Sequence, residues 1–326
     1  MPPPSEPAEE ATWTPNEPVH WASVDAASDR TKAHPVVTAC TRVTQQRPTA
    51  LKRARKPVNT AAADRAVRPC TVCGRSTAVF GTGTVLGRHP ATFRRCDSCG
   101  TVFAEDPYWL AEAYERAIAA QDLGLVGRNV AMSDSTVLLS RLVFRRAEHF
   151  VDFGAGNGMF VRLMRDAGFD FRYVDAHGPN LFANGHEVEL DGSVHFDLAT
   201  GFEVLEHLHC PVADLKDLAA VSDALFLTTI CLPEPAPPLN AWWYYALETG
   251  QHITFYTPRA LDALAEQLGF YRQSHGNRHL FTRRRVPRSL LRIALSGKLS
   301  HHLSRVARRS TLLAEDYEQL TGRPLS

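Results

Sequence analysis

The sequence predicts an α/β fold: a doubly wound, mostly parallel sheet with an antiparallel last strand, preceded by a small cysteine-rich module and a disordered tail. Three observations carry this prediction. Short apolar runs alternate with helical patterns from residue 149 to 270, and two matched cysteine pairs lie between residues 70 and 99. The first 68 residues contain nine prolines but no Phe or Tyr. Strands separated by helices of this length need right-handed crossovers, which build a parallel sheet.

The N-terminal residues 1–68 are predicted to be disordered, because they carry too little apolar surface to offset the entropy lost on folding. The beginning of the chain, MPPPSEPAEE, lacks the cationic and apolar regions of a signal peptide. No run of about 18 apolar residues could cross a membrane. These features predict a cytoplasmic protein without a transmembrane segment, and they say nothing about its oligomeric state.

The formal net charge of the 326-residue chain is +1, but the charge is distributed unevenly. Residues 1–29 sum to −6, 30–68 to +9, 69–282 to −9 and 283–326 to +7. An acidic body argues against a continuous nucleic-acid groove. The basic ends are compatible with binding to an anionic partner, although a solvated tail is the simpler interpretation of LKRARK (51–56).

The expected elements follow in chain order. A helix is predicted over 107–121, with Pro107 near its N-terminus, and a second over 134–147, with Ser133 or Asp134 as N-cap. Strands are predicted at 149–153, 171–176 and 224–230, with a pair within 271–284. A short possible strand at 186–190 and a longer strand at 196–205 that runs into a turn are also predicted, and a strand at 252–257 enters the next helix. Helices are predicted at 158–169, 212–222 and 258–270. The predicted domains are a tail (1–68), a cysteine module (69–106), linker or lid helices (107–148), an α/β core (149–284) and a basic helical extension (285–326).

The two cysteine pairs have the form CxxCG and are separated by 22 residues. Two residues between cysteines let both thiolates face one ion, and the following glycine permits the tight turn that directs backbone N–H groups at sulfur. The pattern predicts a closed, structural zinc site rather than a catalytic one; reduced free thiols are the alternative. The predicted zinc ligands are Cys70, Cys73, Cys96 and Cys99.

A glycine-rich loop, DFGAGNG (152–158), follows the predicted strand at 149–153 and opens the next helix. Its spacing differs from the GxGxxG of dinucleotide-binding proteins, and it lacks the Lys-Ser/Thr of a phosphate loop. Asp175 ends the next strand, where a carboxylate can accept hydrogen bonds from two ribose hydroxyls. The alternative is a tight turn with an exposed Asp that caps the following segment.

These residues carry a family resemblance. DFGAGNG, Asp175 and FDLATGFEVLEHL (196–208) resemble the class I, Rossmann-like S-adenosylmethionine-dependent methyltransferases over about residues 149–284. With the cysteine pairs included, residues 70–284 look like bacterial methyltransferases found among sugar and polysaccharide biosynthesis genes, and the layout is similar to that of deoxysugar C-methyltransferases.

The resemblance implies S-adenosylmethionine as the cofactor. The glycines would cradle its methionine part, Asp175 would hold the ribose, and Phe202 and Glu203 would flank it. Glu189 would contact the adenine, with Asp191 as a rival. The cofactor-binding residues are then Asp152, Gly154, Ala155, Gly156, Gly158, Asp175, Glu189, Phe202 and Glu203.

Methyl transfer needs mainly a positioned acceptor and the removal of its proton, since the sulfonium already provides the leaving group. His207 follows the fourth strand of the core, at the edge where ligands bind in open α/β sheets, and His252 follows a proline-rich loop. Both are candidate bases, with Glu206 orienting His207 or capping the next helix. Either histidine could instead be purely structural.

Four consecutive aromatic residues offer faces for stacking on a sugar or a planar acceptor: Trp242, Trp243, Tyr244 and Tyr245. The alternative is that two of the four rings anchor the core. The predicted partner is therefore a small-molecule or saccharide acceptor, methylated on oxygen, nitrogen or carbon. Two alternatives stay open: an RNA methyltransferase that uses the zinc module for recognition, and a non-catalytic zinc-ribbon adaptor.

Overall fold

The computed structural model describes residues 68–115 and 122–325 of the chain. The predicted tail, apart from Arg68, and the end of the predicted helix 107–121 lie outside the described residues. In the described part no helix is both long and apolar enough to cross a lipid bilayer.

The described strands fall into two sheets. In chain order the strands are β1 (Thr77–Val85), β2 (His89–Cys96), β3 (Val102–Ala104), β4 (Phe150–Phe153), β5 (Phe171–Val174), β6 (Leu198–Gly201), β7 (Ala224–Thr228), β8 (Thr254–Phe255), β9 (Tyr271–His275) and β10 (Arg278–Thr282). The helices are α1 (Leu110–Ala113), α2 (Leu125–Leu142), α3 (Met159–Asp166), α4 (Pro211–Asp214), α5 (Lys216–Ala220), α6 (Pro258–Gln267), α7 (Arg288–Leu295), α8 (Gly297–Ala307) and α9 (Leu313–Thr321).

The larger sheet has the order β5-β4-β6-β7-β10-β9. Strand β4 pairs in parallel with β5 and β6, and β6 pairs in parallel with β7. Strand β10 runs antiparallel to both β7 and β9. The predicted α/β sheet with an antiparallel last strand is confirmed. Its parallel strands end together at the edge that carries the glycine loop and Glu206.

The smaller sheet is antiparallel and has the order β1-β2-β3-β8. Strand β8 comes from the predicted strand 252–257, which joins the cysteine module instead of the larger sheet: Val102 pairs with Phe255, and Phe103 with Thr254. This arrangement buries Phe255 and Ile253 with the module's Phe93 and Val102 in one apolar cluster. The segment around His252 is therefore held by the cysteine module.

Helix α2 begins at Leu125, nine residues before the predicted start at 134. The predicted N-cap, Asp134, is buried inside the helix and serves a tertiary contact. Its carboxylate accepts a 2.6 Å hydrogen bond from Ser304 of α8 and lies 3.0 Å from Nδ1 of His301. Asp134 is a common helix-capping residue type, but here its side chain joins α2 to α8.

Two predicted strands are shorter than expected. Of residues 186–190, only Glu187 forms a bridge, to Tyr173, so this segment is an extended connection and not a strand. The predicted strand within 196–205 runs into its expected turn after Gly201, where Glu203 has a left-handed φ of 54° that breaks the extended backbone. A short 3₁₀ turn, Leu205–His207, follows and carries the candidate residues Glu206 and His207.

Helix α9 of the basic C-terminal extension is anchored to α3 by a buried carboxylate. Asp316 is 2% exposed and accepts hydrogen bonds from Arg165 (2.6 and 2.9 Å) and Arg162 (2.7 Å). Burial opposes ionisation, but these two guanidinium groups hold the pKa of Asp316 below its usual range. The carboxylate therefore stabilises the fold at neutral pH.

We expect Asp316→Ala to lower the free energy of unfolding at pH 7 by about 3 kcal/mol, because it strips buried Arg165 of a partner. Since the folded pKa is depressed, this contribution is present above the usual Asp pKa of about 4 and disappears as the pH falls below it. Urea unfolding at pH 7 and pH 3 measures both effects. The exposed neighbour substitution Glu315→Ala is the control; an equal loss in both variants would contradict the anchor.

Candidate functional site

The four cysteines of the two CxxCG motifs lie together at one end of the smaller sheet, where β2 ends at Cys96. The sulfurs of Cys70 and Cys99 are 3.6 Å apart, those of Cys73 and Cys96 are 3.5 Å apart, and all four lie within 4.8 Å of one another. A tetrahedral zinc ion with Zn–S bonds of about 2.3 Å needs sulfurs about 3.8 Å apart. The donor set and its spacing therefore fit one zinc ion.

Backbone turns shape this cysteine cluster as the sequence predicts. Gly74 and Gly100 have left-handed φ values of 71° and 78°, and the N–H groups of Val72 and Cys99 point at sulfurs of the cluster at 3.4 Å. The second turn also contacts the core: Thr257, the N-cap of α6, donates a 2.5 Å hydrogen bond to the Cys99 carbonyl. The cysteine module thereby fixes the start of α6.

The glycine loop connects β4 to α3 and uses left-handed backbone at each of its glycines. A Cβ on Gly154 would lie 2.6 Å from Val204, so that glycine is required by packing. A Cβ on Gly156, with φ of 57°, would meet nothing within 4 Å. The middle of the loop therefore faces open space, where a ligand can approach the backbone closely.

Asp175 lies beside the glycine loop, where the sequence placed it, and its carboxylate shapes the loop. Oδ2 accepts a hydrogen bond from the Gly156 N–H (2.8 Å), while Oδ1 accepts from the N–H groups of His177 and Gly178 (2.7 Å each). A carboxylate has about four acceptor positions. One acceptor position is thus left for a ligand such as a ribose hydroxyl.

The other predicted cofactor residues lie around this loop. Asp152 is buried on β4; burial raises its pKa to about 7, and Thr200 donates a 2.6 Å hydrogen bond to it. Phe202 packs edge-on against Phe160 and Phe226. Glu189, which lies beyond the single bridge at Glu187, is exposed, and so is its rival Asp191. Ala155 of the glycine loop is half-buried.

Glu203 follows β6 and turns its carboxylate toward β7, where Thr228 donates a 2.8 Å hydrogen bond to it. Burial, followed by the neighbouring carboxylate of Glu206, raises the pKa of Glu203 to about 7. Two acidic side chains thus share this edge of the sheet.

The three predicted catalytic residues come together, although they lie up to 46 positions apart in the sequence. One ligand-capable atom from each of Glu206, His207 and His252 lies within 4.8 Å of those of the other two. The rings of His207 and His252 stand edge to face with centroids 5.0 Å apart. The contact depends on the smaller sheet, since β8 positions His252 beside the turn after β6.

Two tyrosines that sequence reasoning did not assign to this cluster complete it. The Tyr244 hydroxyl donates a 2.7 Å hydrogen bond to Oε1 of Glu206, and its backbone carbonyl accepts one from Nδ1 of His252 at 2.8 Å. The Tyr114 hydroxyl lies 2.9 Å from Nδ1 of His207. No spacing signal in the sequence could have found Tyr114, which precedes His207 by 93 residues.

Burial, followed by the nearby His252 and opposed by the backbone of Gln251, lowers the pKa of His207 to about 3. This imidazole is therefore neutral throughout the physiological range. Tyr114 also stacks on His177, with ring centroids 4.8 Å apart. Because the N–H of His177 is bound by Asp175, one tyrosine side chain spans the gap between the glycine loop and the histidine pair.

The four consecutive aromatic residues have different surroundings. Tyr244 and Tyr245 are buried at 2% and 1% exposure, and Trp242 packs on both of them, so these rings belong to the core. Trp243 is 74% exposed. The alternative that two of the four rings anchor the core therefore holds for Tyr244 and Tyr245, which pack with Phe255 of β8 in one apolar cluster.

Residues 128–275 match the family model described as "Methyltransferase domain", which is a little under half of the chain. A comparison with curated protein sequences found no match. Human N-acetylserotonin methyltransferase has 16% identity and a TM-score of 0.37, over 54% of this chain and 65% of that chain. The bifunctional kinase-methyltransferase WbdD has 21% identity and a TM-score of 0.35, over 56% of this chain and 43% of that one.

CalO1, a methyltransferase in calicheamicin biosynthesis, has 16% identity and a TM-score of 0.36, over 54% of this chain and 60% of that one. The chain therefore spans less than two thirds of each of these three proteins. At these scores the likeness carries no conclusion about substrates.

The sheet order, the glycine loop after the first parallel strand and the family match together define a Rossmann-like methyltransferase fold, with a methyltransferase domain over residues 128–275. The match begins at Arg128, inside α2, and ends in β9. Helix α2, which the sequence placed in a linker, thus falls largely within the matched domain.

Proposed function

We propose that this protein transfers the methyl group of S-adenosylmethionine to a hydroxyl of a small-molecule or saccharide acceptor. The observation that carries the proposal is the position of the Glu206, His207 and His252 cluster at the same sheet edge as the glycine loop. Tyr114, which contacts both His207 and His177, links the two. A methyl donor on the loop would thus lie close to groups that can act on an acceptor.

Cofactor binding is supported by the open side of the loop at Gly156 and by the remaining acceptor position of Asp175. Phe202 and Glu203 follow β6, the strand beside the loop, where they can flank the ligand. Glu189 remains the candidate for the adenine. In this arrangement the chain's role toward the cofactor is to bind and orient it, because the sulfonium provides the leaving group.

Acceptor activation is assigned to the histidine pair. The imidazole of His252 donates its Nδ1–H to the Tyr244 carbonyl, so Nε2 is the nitrogen left for an acceptor. His207 is neutral at physiological pH. A neutral imidazole suits removal of a proton from a hydroxyl, and exposed Trp243 offers a face for a sugar ring.

A structural zinc ion at the four cysteines is part of the proposal. The sulfur spacing fits tetrahedral zinc, and four thiolates leave no coordination position for a substrate. The zinc would hold the cysteine module, and with it β8 and the segment that carries His252.

We expect Gly156→Ala to weaken S-adenosylmethionine binding by at least tenfold, because the added methyl group projects into the space where the ligand would approach. Gly322→Ala is the matched control: Gly322 also has a left-handed φ (68°) and nothing within 4 Å, and it lies at the end of α9, outside the candidate site. Both variants carry a similar backbone strain of about 1–2 kcal/mol. Isothermal titration calorimetry measures the affinities; equal affinities in the two variants would remove Gly156 from the site.

The proposal is tested by incubating the purified protein with S-adenosylmethionine and a panel of nucleotide sugars, glycans and small polyhydroxylated molecules. Release of S-adenosylhomocysteine that depends on an acceptor of this class supports it. Absence of S-adenosylmethionine binding by calorimetry would overturn it. Methyl transfer to RNA alone, with retention on RNA that falls steeply with salt, would favour the nucleic-acid alternative.

A further inference from the structure

We propose that Glu206, His207 and His252 form a binding site for a divalent cation, and that this cation holds the acceptor hydroxyl during methyl transfer. The site would be a second metal site, separate from the four cysteines. Its chemical part rests on the proposed function, whereas the binding of the cation does not.

The first argument is the donor set. Two imidazole nitrogens and a carboxylate oxygen lie within 4.8 Å of one another, so small side-chain rotations would bring all three to the bonds of about 2.0–2.2 Å that a single ion needs. Ligands of this kind suit divalent transition metals such as Mn²⁺, Fe²⁺, Co²⁺ or Zn²⁺. Three protein ligands also leave coordination positions open for a substrate, unlike the cysteine cluster.

The second argument is an unsatisfied buried oxygen. Glu206 is fully buried (0% exposed), and its Oε2 has no hydrogen-bond partner, while Oε1 accepts from Tyr244. No Arg or Lys forms a salt bridge with Glu206 anywhere in residues 68–115 and 122–325. A buried carboxylate without a direct ion pair is costly, and a cation at Oε2 would provide that pair.

The third argument is the support given to the ligands. Metal-binding histidines nearly always donate their second ring N–H to a carbonyl or a carboxylate, and ligating carboxylates are themselves hydrogen-bonded. His252 donates Nδ1–H to the carbonyl of Tyr244, and Tyr244 donates its hydroxyl to Glu206. A single residue, Tyr244, thus orients two of the three ligands toward a common point.

The cation would act as a Lewis acid on the acceptor. A hydroxyl oxygen bound to a divalent cation loses its proton far more readily than a free hydroxyl. The acceptor O–H bond breaks and its proton passes to solvent water. The oxygen then forms a bond to the methyl carbon as the carbon–sulfur bond breaks, which leaves S-adenosylhomocysteine. In this arrangement the histidine nitrogens hold the cation, so they lower the cost of deprotonation through it instead of taking the proton themselves. Acceptors with two adjacent hydroxyls would bind best because they fill two open positions.

The test uses Mn²⁺ alone as the probe, added to the full-length protein after its zinc content has been measured. Electron paramagnetic resonance reports free Mn²⁺. We expect one bound Mn²⁺ per chain, and binding at least tenfold weaker in both Glu206→Gln and His252→Gln. The matched control is His195→Ala, which removes a surface histidine that lies 3.1 Å from a carboxylate, that of Asp223.

Calorimetry with S-adenosylmethionine on the same samples separates the two proposals. Binding of S-adenosylmethionine without Mn²⁺ binding would overturn the cation site and leave the methyltransferase proposal intact. Mn²⁺ binding that depends on Glu206, without S-adenosylmethionine binding, would overturn the methyltransferase proposal and leave the cation site intact. Mn²⁺ binding that is unchanged in Glu206→Gln and His252→Gln also overturns the site; if Glu206→Gln fails to fold, the half-buried His252 variant decides alone.

Discussion

Replacement of His252 by alanine is expected to lower the turnover number by about 10²–10⁴-fold, while the affinity for S-adenosylmethionine stays within about threefold of the native value. The imidazole uses Nδ1 to bind the Tyr244 carbonyl, so Nε2 is the nitrogen left to act on an acceptor. Whether Nε2 takes the proton directly or holds a cation, the acceptor would lose its activation. The cofactor contacts lie on other residues.

The measurement is release of S-adenosylhomocysteine with the best acceptor of the panel, alongside calorimetry for the cofactor. His207→Ala should give a loss of similar size, because its imidazole completes the pair. His195→Ala, a surface substitution, should retain native turnover. If His207→Ala and His252→Ala both turned over at the native rate, the acceptor would be activated elsewhere.

Cys96→Ser is expected to abolish zinc binding, so that the metal content falls from about one ion per chain to near zero. Structural zinc contributes folding free energy directly, about 10 kcal/mol or more in isolated zinc-finger peptides. We therefore expect the cysteine module to unfold and thermal unfolding to begin at a lower temperature. Atomic absorption and circular dichroism measure the two effects.

The same substitution should also reduce turnover, because the module holds the acceptor side of the site. Strand β3 pairs with β8, two residues after His252, and the Cys99 carbonyl accepts a hydrogen bond from Thr257. Cys231→Ser is the control, since Cys231 is a half-buried free cysteine outside the cluster. Full zinc content or native turnover in Cys96→Ser would show that the cluster does not support the site.

The sheet and the cysteine cluster could be predicted because their signals are local. The apolar run FVDF, the glycines after it and the helix that follows depend on neighbours within a few residues. The same holds for the two CxxCG turns. Helix boundaries were less predictable: Asp134 is a good capping residue by type, yet it binds Ser304, which is 170 positions away.

The candidate site could be predicted only in part, for the same reason. His207 was found from its position after a parallel strand, where side chains meet at the ligand-binding edge. His252 was a candidate from its neighbouring sequence, but its contact with His207 arises because β8 leaves the core and pairs with β3. Tyr114 and the hydrogen bonds of Tyr244 gave no local signal at all.

The sequence by itself determined the class of fold, the four-cysteine cluster and the glycine loop with Asp175, because periodicity, spacing and backbone freedom are properties of short segments. Only the tertiary structure decided which aromatic rings are buried, which sheet β8 joins and which side chains surround Glu206. Those outcomes depend on contacts between segments separated by as many as 170 residues. Such contacts are selected by the shape and burial of the whole core.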